Sequence, residues 1–80
     1  ELGTLELMKN ILSTGDVFID AGSNIGLMSI HASLIVGSKG HVFSFEPNPG
    51  TFRLLKENVN LNKIKNMRCC FSFKTERIPP

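Results

Sequence analysis

The sequence has few cysteines, only Cys69 and Cys70, and they are adjacent. Neighbouring cysteines rarely bridge to each other, because a disulfide requires a wider separation of the two backbones. Two cysteines are also too few for a disulfide framework, and they lack the spaced pairs that a zinc site needs. We therefore expect no metal site, and a reduced, cytoplasmic setting.

Long apolar runs are missing as well. No stretch approaches the roughly 20 apolar residues that span a bilayer, and the first residues lack the basic and then apolar pattern of a signal peptide. We expect no membrane anchor in this segment. The chain begins at Glu1 and stops at "RIPP" after 80 residues, which is at most one small domain. We expect it to be a piece of a longer protein.

Charge of one sign does not dominate, since the net charge is +2, but its distribution is uneven. Residues 1–46 carry two basic side chains against five acidic ones, and residues 47–80 carry seven basic against two acidic. A basic half can contact nucleic acid. However, aromatic residues do not interleave with the lysines and arginines as they do in a base-stacking surface. We therefore do not expect nucleic acid as a partner.

Helices and strands alternate along the chain. Apolar residues at helical spacing predict helices in "ELGTLELMKNIL", "IGLMSIHASLIV" and "PNPGTFRLLKENVNLN", the last opened by prolines that suit a helix start. Ser23 or Asn24 can cap the first turn of the second helix. Short β-rich runs predict strands in "VFIDA", "HVFSFE" and "MRCCFSF". The lack of alternation in "VFIDA" indicates a strand that is covered on both faces.

Strands separated by helices of this length form right-handed crossovers in a parallel sheet. The predicted strand order is third, second, first, which leaves one side of the first strand unpaired. An apolar strand is a poor edge because it invites aggregation, so we expect further strands after Pro80 to pair there. The fold class is α/β, and the chain is the N-terminal half of a doubly wound parallel sheet.

The segment "FIDAGSNIG" lies where the first strand ends, and open parallel sheets bind ligands at this edge. Gly22 and Gly26 remove side chains where the backbone must turn and a ligand must come close. Asp20 offers a negative acceptor for an ammonium group, and Glu46 at the end of the second strand can accept two ribose hydroxyls. An amino acid joined to a ribose fits both, which indicates S-adenosylmethionine.

Two other interpretations stay open. An NAD site uses the fingerprint G-x-G-x-x-G with an acid about 20 residues on, but Ala21 and Asn24 stand where that motif wants glycine. Asp20 would also repel a pyrophosphate. The third possibility is a truncated, non-catalytic product that interacts with a protein partner through its exposed strand edge, or with RNA through its basic half.

The chain resembles the class I methyltransferases, and most closely the FkbM-type family, in "GDVFIDAGSNIG", in "GHVFSFEPNPGTFRLLKENVNLN" and in the spacing between them. The resemblance covers roughly residues 4 to 62 and implies a Rossmann-like methyltransferase fold with S-adenosyl-L-methionine as cofactor. It implies transfer of a methyl group, usually to a hydroxyl oxygen of a sugar or natural product. It assigns the cofactor as follows: the methionine end to Asp20, Gly22, Asn24 and Gly26, the ribose to Glu46, and the adenosine to the neighbourhood of Pro47 and Asn48.

Parts of that family's pattern are missing. No residue of the chain stands out as a general base, so the catalytic residues are unknown, and we expect the fragment to be inactive alone. The segment "FSFKTERIPP", residues 71–80, departs from the usual continuation and is interpreted as a divergent tail. Ser29 and Ser33 have no histidine and acid arranged as a triad. Asn58, near a helix end, is expected to have a surface or capping role.

Overall fold

A computed structural model describes residues 2–71 of the chain. Helices and strands alternate as the sequence predicts. Their bounds are α1 Leu2–Ile11, β1 Val17–Ala21, α2 Leu27–Val36, β2 His41–Phe45, α3 Pro49–Leu61 and β3 Met67–Cys70. The sequence predicted that the third strand continues to Phe73. This residue and most of the predicted tail lie outside the described residues.

The three strands form one parallel sheet in the order β1-β2-β3, which confirms the predicted order. Asp20 in β1 lies opposite Ser44 in β2, and Phe45 at the end of β2 lies opposite Cys70 in β3. The carboxyl ends of all three strands therefore meet at one edge of the sheet. This edge receives the β1–α2 loop and the residues that lead into α3.

The main core lies between the sheet and the helices α1 and α2. Met8 from α1, Ala32 and Val36 from α2 and Val42 from β2 are its buried members. Six partly buried residues pack against them, namely Leu5, Leu12, Phe18, Met28, Ile35 and Met67. Part of the apolar spacing that predicted α1 and α2 therefore faces this core, whereas Ile11 and Leu34 are 64% and 66% exposed.

One expectation about β1 is wrong. Its burial alternates along the strand, with Phe18 packed on the core while Val17 and Ile19 are 61% and 53% exposed. Successive side chains of a strand point to opposite faces, and α2 covers only one of them. The residues at the start of β1, 17–19, are all apolar, but within residues 2–71 only one face of the strand is covered. That further strands pair with β1 remains a prediction.

The two crossover helices begin in different ways. The Asn48 side chain caps α3 by accepting a hydrogen bond from the Thr51 amide at 3.0 Å, and Pro49 opens the helix as predicted. In α2 the expected cap by Ser23 or Asn24 is wrong. Gly26, in the left-handed region, is the N-cap and gives no side-chain hydrogen bond. The Ser23 hydroxyl instead donates to the Asp20 carbonyl at 2.8 Å.

Among the helices of residues 2–71, none is long and apolar enough to cross a membrane.

Candidate functional site

The loop between β1 and α2, residues 22–26, is held against the carboxyl end of β2; we call it the glycine loop. The amides of Gly22 and Ser23 both donate to the Phe45 carbonyl at 2.8 Å, and the Gly26 amide donates to the Ser23 carbonyl at 3.0 Å. These bonds bring the loop beside Glu46, the residue that follows β2. The glycine loop and Glu46, which the sequence assigned to the same ligand, are therefore neighbours in the fold.

Glu46 joins the two segments of this site. Its side chain is buried, at 8% exposure. One carboxylate oxygen accepts from the Asn24 amide at 2.6 Å, and the other accepts from the Asn48 amide at 3.1 Å. A carboxylate offers about four acceptor positions, so roughly two remain on Glu46. The residue can hold the loop and still accept hydroxyl groups from a ligand.

Three residues of the glycine loop have positive φ angles: Gly22 at 75°, Asn24 at 58° and Gly26 at 98°. Asparagine is among the few non-glycine residues that adopt this region readily, which explains how Asn24 stands where the dinucleotide motif has glycine. The backbone therefore makes a glycine-type turn with only two glycines.

The two glycines differ in what surrounds them. A Cβ built on Gly22 meets no atom within 4 Å, so this part of the loop faces open space. A Cβ built on Gly26 lies 2.6 Å from Leu55 Cδ1 in α3. Gly22 thus allows a ligand to approach the backbone, as the predicted cofactor requires, whereas Gly26 allows the loop to pack against α3.

Asp20 reaches this edge from the end of β1. Its Oδ2 atom accepts a hydrogen bond from the Ser29 hydroxyl at 2.6 Å, and that hydroxyl accepts from the Ser44 hydroxyl, also at 2.6 Å. Both serines are fully buried. The sequence interpretation gave neither serine a role at the site. The sequence did contain an indication for Ser44, because it is a polar residue between the apolar Phe43 and Phe45 of β2.

Asn58 is a third such residue, for which the sequence predicted only a surface or capping role. Its side-chain amide donates to the Ile25 carbonyl at 2.7 Å and ties the glycine loop to α3. No local pattern predicts this contact, since the two residues are 33 positions apart. Pro47 and Asn48 are exposed beside Glu46, at the edge where the predicted adenosine would lie. Over residues 2–71 no cluster of His, Cys, Asp or Glu could hold a metal ion.

A family model described as the TRM5/TYW2 methyltransferase domain matches residues 4–77. A Sulfolobus acidocaldarius protein, named "Probable cobalt-precorrin-6B C(15)-methyltransferase (decarboxylating)", is 39% identical over 67 residues, covering 84% of this chain and 35% of that protein. The Haloferax volcanii hexuronic acid methyltransferase AglP is 45% identical over 58 residues, covering 72% of this chain and 23% of that protein. The chain thus spans about a third or less of the length of these relatives.

Solved methyltransferase structures share the fold. A SAM-dependent methyltransferase from Aquifex aeolicus aligns with a TM-score of 0.79 at 24% identity, covering 99% of this chain and 41% of that one. A SAM-dependent O-methyltransferase from Thermotoga maritima aligns with a TM-score of 0.77 at 25% identity, covering 88% of this chain and 28% of that one. The predicted fold class, half of a Rossmann-like parallel sheet, is confirmed.

Proposed function

Since the chain belongs to the TRM5/TYW2 methyltransferase domain family, we propose that the intact protein is an S-adenosylmethionine-dependent methyltransferase and that these residues hold its cofactor. The observation that carries the proposal is the joining of Glu46 to the glycine loop at the carboxyl edge of the sheet. Ligands of open parallel sheets bind at this edge. The names of solved structures with the same fold support S-adenosylmethionine as the cofactor.

The residues of the site suit the parts of that molecule. Glu46 has acceptor positions left for ribose hydroxyls after binding two backbone amides. The open space at Gly22 accommodates the methionine end, where Asp20 would accept the ammonium group. Pro47 and Asn48 would lie near the adenosine. The cofactor supplies the methyl group, and the residues of this chain bind and orient it, which is the main contribution to such a transfer.

The glycine loop does not favour NAD. A pyrophosphate is bound by backbone amides of such a loop and of the following helix. Here the amides of Gly22, Ser23 and Gly26 donate to backbone carbonyls, and the Asn24 amide donates to Glu46. A loop whose amides are used within the chain has few left for phosphate oxygens.

For the acceptor, we propose a hydroxyl group on a small molecule or sugar, in line with the FkbM-type resemblance. The hexuronic acid named for the Haloferax relative and the O-methyltransferase name of the Thermotoga structure support it, whereas the Sulfolobus relative is named for a carbon position of a precorrin. Lys39, Lys63 and Lys65 precede β2 and β3, so they lie at the amino edge of the sheet. These three lysines are therefore remote from the cofactor site, whereas Arg53 and Lys56 are exposed in the first half of α3, which begins beside Glu46.

The remaining expectations stay proposals. The intact protein acts in the cytoplasm, and residues 1–80 form the cofactor-binding part of its domain. Residues 71–80 diverge from the FkbM-type pattern, although the TRM5/TYW2 family model extends to residue 77. The acceptor pocket and any general base come from the rest of the protein. Incubation of the intact protein with methyl-labelled S-adenosylmethionine and either hydroxyl-bearing sugars or RNA tests the acceptor class, and label on RNA alone would contradict it.

Cofactor binding is tested by calorimetric titration of the intact protein with S-adenosylhomocysteine and with NAD. Glu46→Gln keeps the shape of the side chain but removes one charged acceptor, and hydrogen bonds to charged groups contribute about 1.5–3 kcal/mol, so we expect at least tenfold weaker binding. Gly22→Val, which fills the open space, should abolish binding. Glu57→Gln, at an exposed position of α3, is the matched control. Unchanged affinity in both site variants would contradict the proposal.

A further inference from the structure

A chain of buried hydroxyl groups runs beneath the glycine loop and ends on Asp20. Ser44 lies opposite Asp20 in the β1–β2 pairing, and Ser29 lies above both in the first turn of α2. Ser44 Oγ is 2.6 Å from Ser29 Oγ, which is 2.6 Å from Asp20 Oδ2. Both serines have no exposed surface. Buried hydroxyls are costly unless they are hydrogen-bonded, so this arrangement is a strong constraint.

Which group donates in each of these hydrogen bonds follows from the protons that the groups carry. A carboxylate only accepts hydrogen bonds, so Ser29 must donate its single proton to Asp20. Ser29 must then accept from Ser44, whose proton points at it. The distance of 2.6 Å is typical of a hydroxyl bound to a carboxylate, which is a stronger bond than one between neutral groups. Two hydrogen bonds that share a hydroxyl group, as these do at Ser29, also polarise and strengthen one another.

The consequence for Asp20 is that one oxygen is held and the other is left for a ligand. Within residues 2–71, the Asp20 carboxylate makes a side-chain hydrogen bond only with Ser29. A third serine, Ser23, whose Oγ lies 3.5 Å from Ser29 Oγ, donates its hydroxyl to the Asp20 backbone carbonyl and keeps the end of β1 in place. The carboxylate therefore has a fixed orientation before any ligand binds.

We propose that Ser29 and Ser44 are positioning residues that orient Asp20 toward the ammonium group of the cofactor. The inference rests on the proposed function, because it requires that the methionine end of S-adenosylmethionine lies at Asp20. Ser29 acts directly on the carboxylate, and Ser44 acts through Ser29. Removal of the Ser29 hydroxyl frees the carboxylate to rotate, whereas removal of the Ser44 hydroxyl leaves the bond from Ser29 to Asp20 in place.

Two ligands distinguish this role from a purely structural one. S-adenosylhomocysteine carries the ammonium group, and 5′-methylthioadenosine has the same nucleoside without the amino acid part. In calorimetric titrations of the intact protein, Ser29→Ala should weaken S-adenosylhomocysteine about tenfold and leave 5′-methylthioadenosine within about twofold, which is a difference of about 1 kcal/mol. Ser44→Ala should give the same pattern with a smaller change.

Ser33→Ala is the matched control. Ser33 is a buried serine of the same helix, but its hydroxyl donates to the Ile30 carbonyl at 2.7 Å and takes no part in the chain to Asp20. It should change neither affinity. A further comparison uses Asp20→Asn, in which the charge is gone, so that adding Ser29→Ala should weaken S-adenosylhomocysteine no further.

The outcomes separate the two proposals. If the unmodified protein binds neither ligand, the proposed function fails and the role of Ser29 fails with it. If it binds both, and the serine variants weaken the two ligands equally or not at all, only the role of Ser29 and Ser44 is overturned. An equal loss from Ser29→Ala in the Asp20→Asn background also overturns it. Should Ser29→Ala fail to fold, as thermal unfolding would show, Ser44→Ala decides.

Discussion

Gly26→Ala tests whether the second glycine of the loop serves packing rather than ligand binding. Gly26 has a φ of 98°, and a Cβ built on it lies 2.6 Å from Leu55 Cδ1. Leu55 is completely buried, so its side chain has little freedom to move aside. An alanine here must therefore strain the backbone and displace a core residue of α3.

The expected cost has two parts. The left-handed conformation costs a non-glycine residue about 1–2 kcal/mol. Extra volume in a packed core typically costs about 1–3 kcal/mol. We expect Gly26→Ala to lower the free energy of unfolding by about 2–5 kcal/mol, a large part of the stability of an ordinary domain, which is about 5–15 kcal/mol.

A double-mutant cycle with Leu55→Ala separates the two parts. Leu55→Ala alone should cost about 2–5 kcal/mol through the cavity that it leaves. It also removes the atom that the new Cβ meets, and the next neighbour, Ile30 Cδ1 at 3.8 Å, is at ordinary contact distance. In that background Gly26→Ala should cost only the backbone part, so the two changes couple by about 1–3 kcal/mol.

The assay is urea unfolding of the intact protein, followed by circular dichroism. The slope of the free energy of unfolding against urea concentration is compared between variants, since a changed slope would indicate a change other than stability. Gly22→Ala is the control, because it has a positive φ of 75° but no atom within 4 Å of its Cβ. Its cost of about 1–2 kcal/mol should be the same with Leu55 or Ala at that position. If Gly26→Ala costs equally in both backgrounds, the contact with Leu55 does not explain the glycine.

Three further predictions concern parts of the fold outside the loop. A Cβ on Gly40 would clash with Val36 Cβ and lie 2.6 Å from the Asp16 carbonyl oxygen, so Gly40→Ala should lower the free energy of unfolding by about 1–3 kcal/mol or more, measured by urea unfolding. Gly50 is the second residue of α3, and a Cβ there meets only Asn48 Oδ1 at 3.6 Å, so Gly50→Ala should instead be slightly stabilising in the same assay, by at most about 0.5–1 kcal/mol. Burial raises the pKa of the Cys69 thiol; the neighbouring Cys70 raises it further, and Lys56 lowers it. The stability that the neutral thiol contributes should therefore be complete below the thiol pKa of the unfolded chain, and it should be lost as pH rises through the pKa in the folded chain. Thermal unfolding against pH, compared with Cys69→Ser, measures this loss, and identical alkaline profiles would contradict it.

The sequence by itself determined the order of helices and strands, the parallel sheet and the edge at which the candidate site is proposed. These features depend on signals that are local in the chain. The apolar spacing of the helices, Pro49 after Asn48, and Asp20 and Glu46 at the ends of their strands can all be recognised within a few residues. Parallel pairing then places those strand ends together, which is why the two acids could be assigned to one site.

Only the tertiary structure decided how the site is held. The bonds from Asn24 to Glu46, from Ser44 to Ser29 and from Asn58 to Ile25 join residues 22, 15 and 33 positions apart. The helix and strand patterns specify which face a residue occupies, but the partner across the gap depends on how α2 and α3 pack. The same holds for Gly26, which the sequence pattern does not distinguish from Gly22 but which packs against Leu55 in the fold. It holds too for the exposed face of β1.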